Sequence, residues 1–257
     1  MKTIALFSVL VAVSAAAVPV NVDSNIDWRV VGGSKAALGQ FPFIISLRLG
    51  TGFHTCGGSL IGRNWVITAA HCVAGGDPSS YTVVAGTNQL NSGGAHIGVA
   101  EIVVHPDWNP SLLTNDVALL RLAAPVEESS FITTIELGCE YIDTVRDCTL
   151  IGWGRTSYPG TVPNDLQFLD LLSLPYAECK TRWANINPIV PSEICTLTKA
   201  GEGACHGDSG GPLIAQEYGI NYLTGLVSWG QPCARGMPDV YTRVSSFCPW
   251  IKDKIKN

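Results

Sequence analysis

The sequence is poor in charged residues. Asp, Glu, Lys and Arg make up only 14% of its 257 residues, the formal net charge at neutral pH is -5, and Lys and Arg form no long run. Nucleic acids and anionic membranes are recognised through clustered cations, so this distribution argues against both as partners. Because 46% of the residues are hydrophobic, the chain can form a globular core. We expect a monomer.

The sequence also lacks an apolar segment long enough to cross a bilayer, which takes about 20 residues. Near its start, Lys2 precedes an apolar run over residues 4–13, and small residues follow at 15–17. This arrangement is typical of a secretory signal peptide, which we place at residues 1–17. The protein is therefore expected to be secreted and extracellular.

Cysteine, in contrast, is abundant. The chain has nine cysteines, at positions 56, 72, 139, 148, 179, 195, 205, 233 and 248. In the oxidising compartment that a signal peptide implies, such a set predicts disulfides rather than a metal cluster. An odd number leaves at least one cysteine unpaired.

Residues 18–29 form a short polar segment without cysteine, which we interpret as a propeptide. From Val30 onward, short β-type runs recur between turn signals and predict an all-β fold of antiparallel barrels or sandwiches. The runs cover residues 43–49, 65–68, 81–84, 99–104, 117–122, 148–151, 213–215, 222–227 and 240–244.

One helix is predicted, at the C-terminal end. Ser245 or Ser246 can cap it, and Pro249 suits its first turn. Apolar residues at helical spacing can then face the core. They are Trp250, Ile251 and Ile255.

Three short segments contain residue types used in acyl transfer. His71 lies in TAAHC at 68–72, Asp116 in NDVALL at 115–120, and Ser209 in GDSGGP at 207–212. A serine hydroxyl is a weak nucleophile at neutral pH and needs a neighbouring base, which a carboxylate can orient. A single Gly-x-Ser-x-Gly could be only a turn, so the inference depends on all three segments together.

Together these segments resemble the trypsin and chymotrypsin family of serine proteases. The resemblance runs from Val30 to the C-terminus and includes VVGG at 30–33, GWG at 152–154 and SWG at 228–230; residues 201–209, GEGACHGDS, are most similar to insect chymotrypsins. It implies a protease domain over residues 30–257 with two packed six-stranded antiparallel Greek-key barrels and a C-terminal helix.

The same resemblance implies the roles of the site residues. His71 would be the general base, Asp116 its orienting carboxylate and Ser209 the nucleophile. The backbone amides of Gly207 and Ser209 would form the oxyanion hole. His54, His96 and His105 lie outside these segments, and we expect them to be structural or at the surface.

Activation is implied by the residues around the start of the domain. The segment RVVGG at 29–33 resembles a zymogen cleavage site, and Arg29 fits a trypsin-like activating protease. Cleavage would free the amine of Val30, which would pair with Asp208 and shape the oxyanion hole. The resemblance thus implies an inactive precursor.

The primary substrate pocket is implied by residues on both sides of Ser209. Gly203 stands where trypsins have the Asp that selects Lys and Arg, which favours a preference for large hydrophobic or aromatic side chains before the scissile bond. Asp239 departs from this pattern: either backbone donors or water satisfy it and it reduces the pocket depth, or it gives secondary acceptance of Arg and Lys. The implied pocket residues are Gly203, Ala204, His206, Ser228, Trp229, Gly230 and Asp239.

Three disulfides are implied by the resemblance: Cys56 with Cys72, Cys179 with Cys195, and Cys205 with Cys233. Cys139, Cys148 and Cys248 are left open, with Cys139 bonded either to Cys248 or to Cys148 and the third thiol buried. The loop at 86–93 lacks the carboxylates of the calcium site of vertebrate trypsins. We therefore expect no required metal and no cofactor.

Two other functions fit the family. A catalytically inactive member could act as a binding protein, although such proteins usually lose a triad residue. A regulatory or broad-specificity protease that also accepts Arg and Lys is the second alternative. Because few residues separate the signal segment from Val30, we expect a digestive enzyme that acts on proteins or peptides, with protein protease inhibitors as possible partners.

Overall fold

The computed structural model describes residues 30–50, 52–231 and 233–256. The predicted signal peptide, the predicted propeptide and Arg29 lie outside these residues. Within the described part of the chain, no helix combines the length and the apolarity that crossing a membrane requires.

The secondary structure is dominated by strands, as predicted. Two α-helices, α1 and α2, span Tyr176–Trp183 and Cys248–Lys254, and three short 3-10 helices span Ala70–Cys72, Pro78–Ser80 and Val244–Ser246. The strands are β1 Ser34–Lys35, β2 Ile44–Leu49, β3 Phe53–Gly62, β4 Trp65–Thr68, β5 Tyr81–Ala85, β6 Ala95–Val104, β7 Ala118–Leu122, β8 Glu136–Leu137, β9 Asp147–Gly152, β10 Gln167–Leu174, β11 Glu193–Thr196, β12 Pro212–Glu217, β13 Ile220–Trp229 and β14 Asp239–Arg243.

The first barrel is a closed antiparallel sheet of six strands in the order β2, β3, β4, β7, β6, β5. Alternate side chains of these strands fill its interior, as closure of a small barrel requires. Its core contains fully buried residues such as Ile45, Leu47, Leu60, Val83 and Leu120.

The second barrel closes in the same way. Its strands follow the order β10, β11, β14, β13, β12, β9, and an antiparallel pairing between β10 and β9 completes the ring. Strand β1 adds to β10, and β8 pairs with β13 in parallel. The structure thus confirms the predicted pair of six-stranded barrels with a C-terminal helix.

All nine predicted apolar runs overlap strands, but other strands of the structure coincide with no predicted run. Strand β3 contains three glycines and several polar residues, and its conformation depends on pairing with β2 and β4 on either side. Strands β10 and β11 and helix α1 were also not predicted. Their positions depend on partners that are distant in the sequence.

The predicted C-terminal helix begins after both proposed capping serines. Ser245 and Ser246 belong to the short 3-10 helix, and α2 has no side-chain cap. Pro249 is in its first turn, Ile251 is fully buried, and Trp250 and Ile255 pack against the core.

Four disulfides connect the described chain. Three are the pairs named above, Cys56 with Cys72, Cys179 with Cys195, and Cys205 with Cys233. The fourth joins Cys139 to Cys248, so of the two alternatives the structure forms this one. Cys148 is a buried free thiol, and desolvation raises its pKa to about 11. Such a disulfide set is typical of proteins that fold in oxidising compartments.

Candidate active site

The three sequence segments meet between the two barrels. His71 lies in the 3-10 helix that follows β4, and Asp116 lies two residues before β7, so both come from the first barrel. Ser209 lies in the turn before β12 of the second barrel. The pairing of Thr68 with Ala118 holds the ends of β4 and β7 side by side, which brings His71 and Asp116 together.

Asp116 is completely buried, and hydrogen-bond donors surround its carboxylate. One oxygen accepts the backbone N–H of His71 at 2.8 Å. The other lies 2.7 Å from the imidazole Nδ1 of His71 and accepts the hydroxyl of Ser228 at 2.6 Å. Thr242 donates its hydroxyl to the Asp116 carbonyl. The carboxylate is thereby fixed from both barrels.

This arrangement determines the tautomer of His71. A carboxylate can only accept, so Nδ1 must carry the proton, and Nε2 is left with a free lone pair. The His71 side chain is 26% exposed, so this nitrogen can be reached from the cleft. Such an imidazole can take a proton from a nearby hydroxyl.

Backbone contacts hold the Ser209 segment against the His71 segment. Gly57 of β3 donates its N–H to the Ser209 carbonyl at 2.8 Å, and its own carbonyl accepts the hydroxyl of Thr68. A side chain at Gly210 would collide with Thr68 and Ala69, just before His71. Glycine at 210, with a φ of +72°, therefore permits the close approach of the two segments.

In the turn around Ser209, some backbone N–H groups are hydrogen-bonded and others are not. The N–H groups of Asp208, Gly210 and Gly211 all donate to backbone carbonyls. The N–H groups of Gly207 and Ser209 donate to no acceptor among the residues that the structure describes. Two free amides, one two residues before Ser209 and one at Ser209 itself, can bind an oxyanion.

His54 contacts this turn, which the sequence did not indicate. Its Nε2 lies 2.9 Å from the carbonyl oxygen of Gly207, its Nδ1 lies 2.9 Å from the hydroxyl of Ser46, and its ring packs edge-on against Trp153. Desolvation lowers the pKa of His54. The histidine therefore supports the peptide that precedes Asp208, although its local sequence carries no signal for this contact.

A cavity of about 200 Å³ opens beside Ser209. Of the seven expected pocket residues, Gly203 is the one that is not part of the lining. The residues that line the cavity are Ala204, Cys205, His206, Ser209, Val227, Ser228, Trp229, Gly230 and Asp239.

Asp239 lines this cavity and is only 6% exposed. Its Oδ2 accepts the backbone N–H of Ala204 at 2.6 Å, and a side chain at Gly203 would collide with the same oxygen. Desolvation raises the pKa of Asp239 to about 7, the Ala204 hydrogen bond opposes this shift, and the charge of Asp208 adds to it. Near neutral pH the carboxyl can therefore be neutral or ionised.

The start of the domain packs close to this region. Val30 is fully buried in a core cluster that includes Ala204, and the carbonyl of Val31 accepts the N–H of Gly203. Asp208 is also fully buried, and its carboxylate accepts the amides of Gly154 and Cys205. Desolvation raises the pKa of Asp208 to about 6, and these two bonds oppose the shift.

In the described part of the chain, one group of side chains has metal-ligand character, namely Cys56, His71 and Cys72. The two sulfurs are joined in a disulfide, so the group offers only the imidazole of His71 as a ligand.

Comparison with known proteins agrees with the fold. The family model described as Trypsin matches residues 30–251. The chain is 40% identical over 225 residues to Chymotrypsin-2 of Vespa crabro and 39% identical over 234 residues to Trypsin-1 of Astacus astacus, with 87% of this chain and 98% of each relative covered. It is 35% identical over 253 residues to Trypsin alpha-4 of Lucilia cuprina, covering 98% of this chain and 97% of the relative.

The chain therefore belongs to the trypsin family of serine proteases. Its relatives include one protein named as a chymotrypsin and two named as trypsins, so family membership alone does not determine which peptide bond is cleaved.

Proposed function

We propose that the chain is a secreted serine endopeptidase, made as a zymogen, that cleaves proteins after large hydrophobic or aromatic residues. The observation that carries this proposal is the buried Asp116, which fixes the His71 imidazole in the tautomer of a general base beside the Ser209 segment. We propose a digestive role because residues 201–209 resemble the corresponding segment of insect chymotrypsins.

In the proposed reaction, His71 takes the hydroxyl proton of Ser209 while the serine oxygen attacks the peptide carbonyl. The amides of Gly207 and Ser209 bind the resulting oxyanion, and His71 then gives the proton to the leaving amine. Water hydrolyses the acyl-enzyme by the same steps. Asp116 stabilises the imidazolium in both stages.

We propose that cleavage after Arg29 by a trypsin-like protease activates the precursor. A new ammonium at Val30 would be a suitable partner for Asp208, because this buried carboxylate forms no ion pair with any residue that the structure describes. Burial of Val30 near Ala204 and the contact of Val31 with Gly203 support this docking. Pairing would then link the new N-terminus to the residue before Ser209.

The lining of the cavity supports a preference for Phe, Tyr or Leu before the scissile bond. Ala204, Val227 and Gly230 present small or apolar surfaces, against which such a side chain would gain about 2 to 3 kcal/mol by desolvation. Asp239 supports a second, weaker activity toward Arg and Lys, because its single amide donor leaves the carboxylate able to pair with a cation.

Labelling with diisopropyl fluorophosphate tests the proposed function. After cleavage at Arg29, one phosphoryl group per chain should attach to Ser209, as determined by peptide mapping, and peptidase activity should be lost in proportion. Ser209→Ala should take up no label. A folded, cleaved chain that neither reacts with the reagent nor hydrolyses peptides would show that it is a binding protein instead.

A further inference from the structure

Glu193 is a buried carboxylate with no role in the acyl-transfer scheme. It begins β11 and is 3% exposed. Its Oε2 accepts the backbone N–H of Val190 at 2.9 Å, and its Oε1 accepts the indole N–H of Trp229 at 2.9 Å. Among the described residues, no Lys, Arg or His forms an ion pair with it. Desolvation raises the pKa of this carboxyl, and the two hydrogen bonds oppose the shift.

Trp229 is held on two sides. Its ring meets the ring of Trp183 in an edge arrangement, with centroids 4.9 Å apart and planes inclined by 69°, while Glu193 binds its N–H. Trp183 is itself buried in α1, within a cluster that includes the bonded cysteines Cys179 and Cys195. The indole therefore has a fixed orientation set by residues outside the cavity that it lines.

The backbone at Trp229 is a free sheet edge. The pairing between β12 and β13 ends at Pro212 with Leu226, whereas the pairing between β13 and β14 continues to Trp229 with Val240. On that side Val227 still exchanges hydrogen bonds with Gly210 and Gly211. Ser228 and Trp229 have no strand partner there among the described residues, and both line the cavity beside Ser209. An extended peptide can add to such an edge and place its side chains against the indole.

We propose that Glu193 is a positioning residue for peptide binding: it accepts the indole N–H of Trp229 and so fixes the ring against which the substrate residues preceding the scissile residue pack. This inference rests on the proposed peptidase function. The indole N–H donates in a part-buried bond to a buried carboxylate, a position where the loss of an acceptor is unfavourable, and an apolar residue at 193 would remove that acceptor.

Four variants separate this role from general stability. Glu193→Gln keeps an acceptor oxygen and removes the charge. Glu193→Met has a side chain of similar length and removes the acceptor. Trp229→Phe removes the donor but keeps a ring, and Glu217→Gln alters a carboxylate that pairs with Arg146 away from the cavity.

The measurement compares two substrates of the cleaved enzyme that share Phe before the scissile bond, a tetrapeptide anilide and a single-residue ester. The ratio of their kcat/KM values should fall about tenfold in Glu193→Met, through KM of the tetrapeptide. In Glu193→Gln the ratio should stay within about threefold, since the single amide oxygen can be turned toward the indole N–H of Trp229, and the Val190 N–H loses its acceptor instead. Glu217→Gln should leave it unchanged.

Trp229→Phe should lower the ratio about as much as Glu193→Met, and the double variant should lose no more than either single variant. An unchanged ratio in Glu193→Met, additive losses, or equal losses in the Gln and Met variants would overturn the inference. If Glu193→Met does not fold, Glu193→Ala, which also removes the acceptor, takes its place in the same comparison with Glu193→Gln. Failure of the wild type to hydrolyse the ester would instead refute the proposed function.

Discussion

The carboxylate of Asp239 occupies the space that a side chain at Gly203 would need. A Cβ at Gly203 would overlap Oδ2 of Asp239, and the backbone at Gly203 has a φ of +153°, which L side chains rarely adopt. The adjacent amide, from Ala204, donates to the same oxygen. Residues 203 and 239 are therefore coupled, and changing one without the other disturbs the pocket.

Gly203→Asp should fail to convert the enzyme to trypsin-like cleavage. It would bury a second carboxylate against Asp239, at a backbone angle that glycine tolerates best, and should lower the free energy of unfolding by about 3 kcal/mol or more. Adding Asp239→Gly should recover much of this loss and move cleavage to Arg and Lys. Denaturant unfolding and peptide cleavage measure both effects. A stable Gly203→Asp single variant with strong Arg cleavage would contradict the coupling.

The choice between aromatic and basic substrates should depend on pH. Because the pKa of Asp239 is about 7, its carboxyl is mostly neutral at pH 6 and mostly ionised at pH 8. The ratio of kcat/KM for Arg to that for Phe should therefore rise between these values, up to about tenfold. Taking the ratio for matched peptides cancels the titration of groups that serve both substrates.

Asp239→Gly should abolish this pH dependence and most of the cleavage after Arg, while Phe remains the better substrate. A ratio that is flat with pH in the wild type, or that is the same in Asp239→Gly, would refute the secondary activity. A tenfold or greater preference for Arg over Phe would refute the hydrophobic preference itself.

Asp239 should also make stability depend on pH. The folded pKa of about 7 exceeds the ordinary value of 3.8, so the folded state binds more protons than the unfolded state between these limits. The stability contribution of this residue is thus most favourable below about pH 4, decreases as pH rises, and is fully lost above about pH 7. The change in Tm that Asp239→Asn causes should be more favourable at pH 8 than at pH 4. An equal change at both pH values would show that Asp239 does not make stability depend on pH.

The fold was largely predictable because most strands coincide with apolar runs bounded by turn residues. Strand β3 was not, because its glycines and polar residues become extended only through pairing with β2 and β4. The same distinction applies to the residues of the site. His71, Asp116 and Ser209 can be predicted because each lies in a distinctive local sequence.

His54 and Glu193, in contrast, have ordinary sequence neighbours. Each functions through a contact with a residue distant in the chain: His54 with Gly207 across 153 positions and Glu193 with Trp229 across 36. Local patterns cannot report such contacts, and only the closed barrels bring the partners together.

The uncleaved precursor should be inactive. Arg29→Gln should prevent cleavage by a trypsin-like activator and leave peptidase activity at least about 100-fold below that of the processed enzyme. In the processed form, Val30→Gly would remove the buried side chain that anchors the new N-terminus and should lower activity, by analogy with other buried truncations. Full activity of uncleaved Arg29→Gln would contradict the activation proposal.

The processed enzyme should lose activity at alkaline pH. Pairing with Asp208 would raise the pKa of the Val30 amine above its reference of about 7.7 to 8.0. The stabilising contribution of the pair is then complete below that range and disappears as pH rises through the raised value. A pH profile of kcat/KM that stays flat to about pH 11 would exclude this ion pair.

Whether His71, Asp116 and Ser209 act as one catalytic unit can be determined from the kinetics of single and double variants after cleavage at Arg29. Ser209→Ala and His71→Ala should each remove nearly all activity, and Asp116→Asn should reduce kcat by about 10⁴ with the fold intact. The Ser209→Ala/His71→Ala double variant should lose no more than either single variant. Activity close to that of the wild type in any single variant, or losses that multiply in the double variant, would refute the catalytic unit.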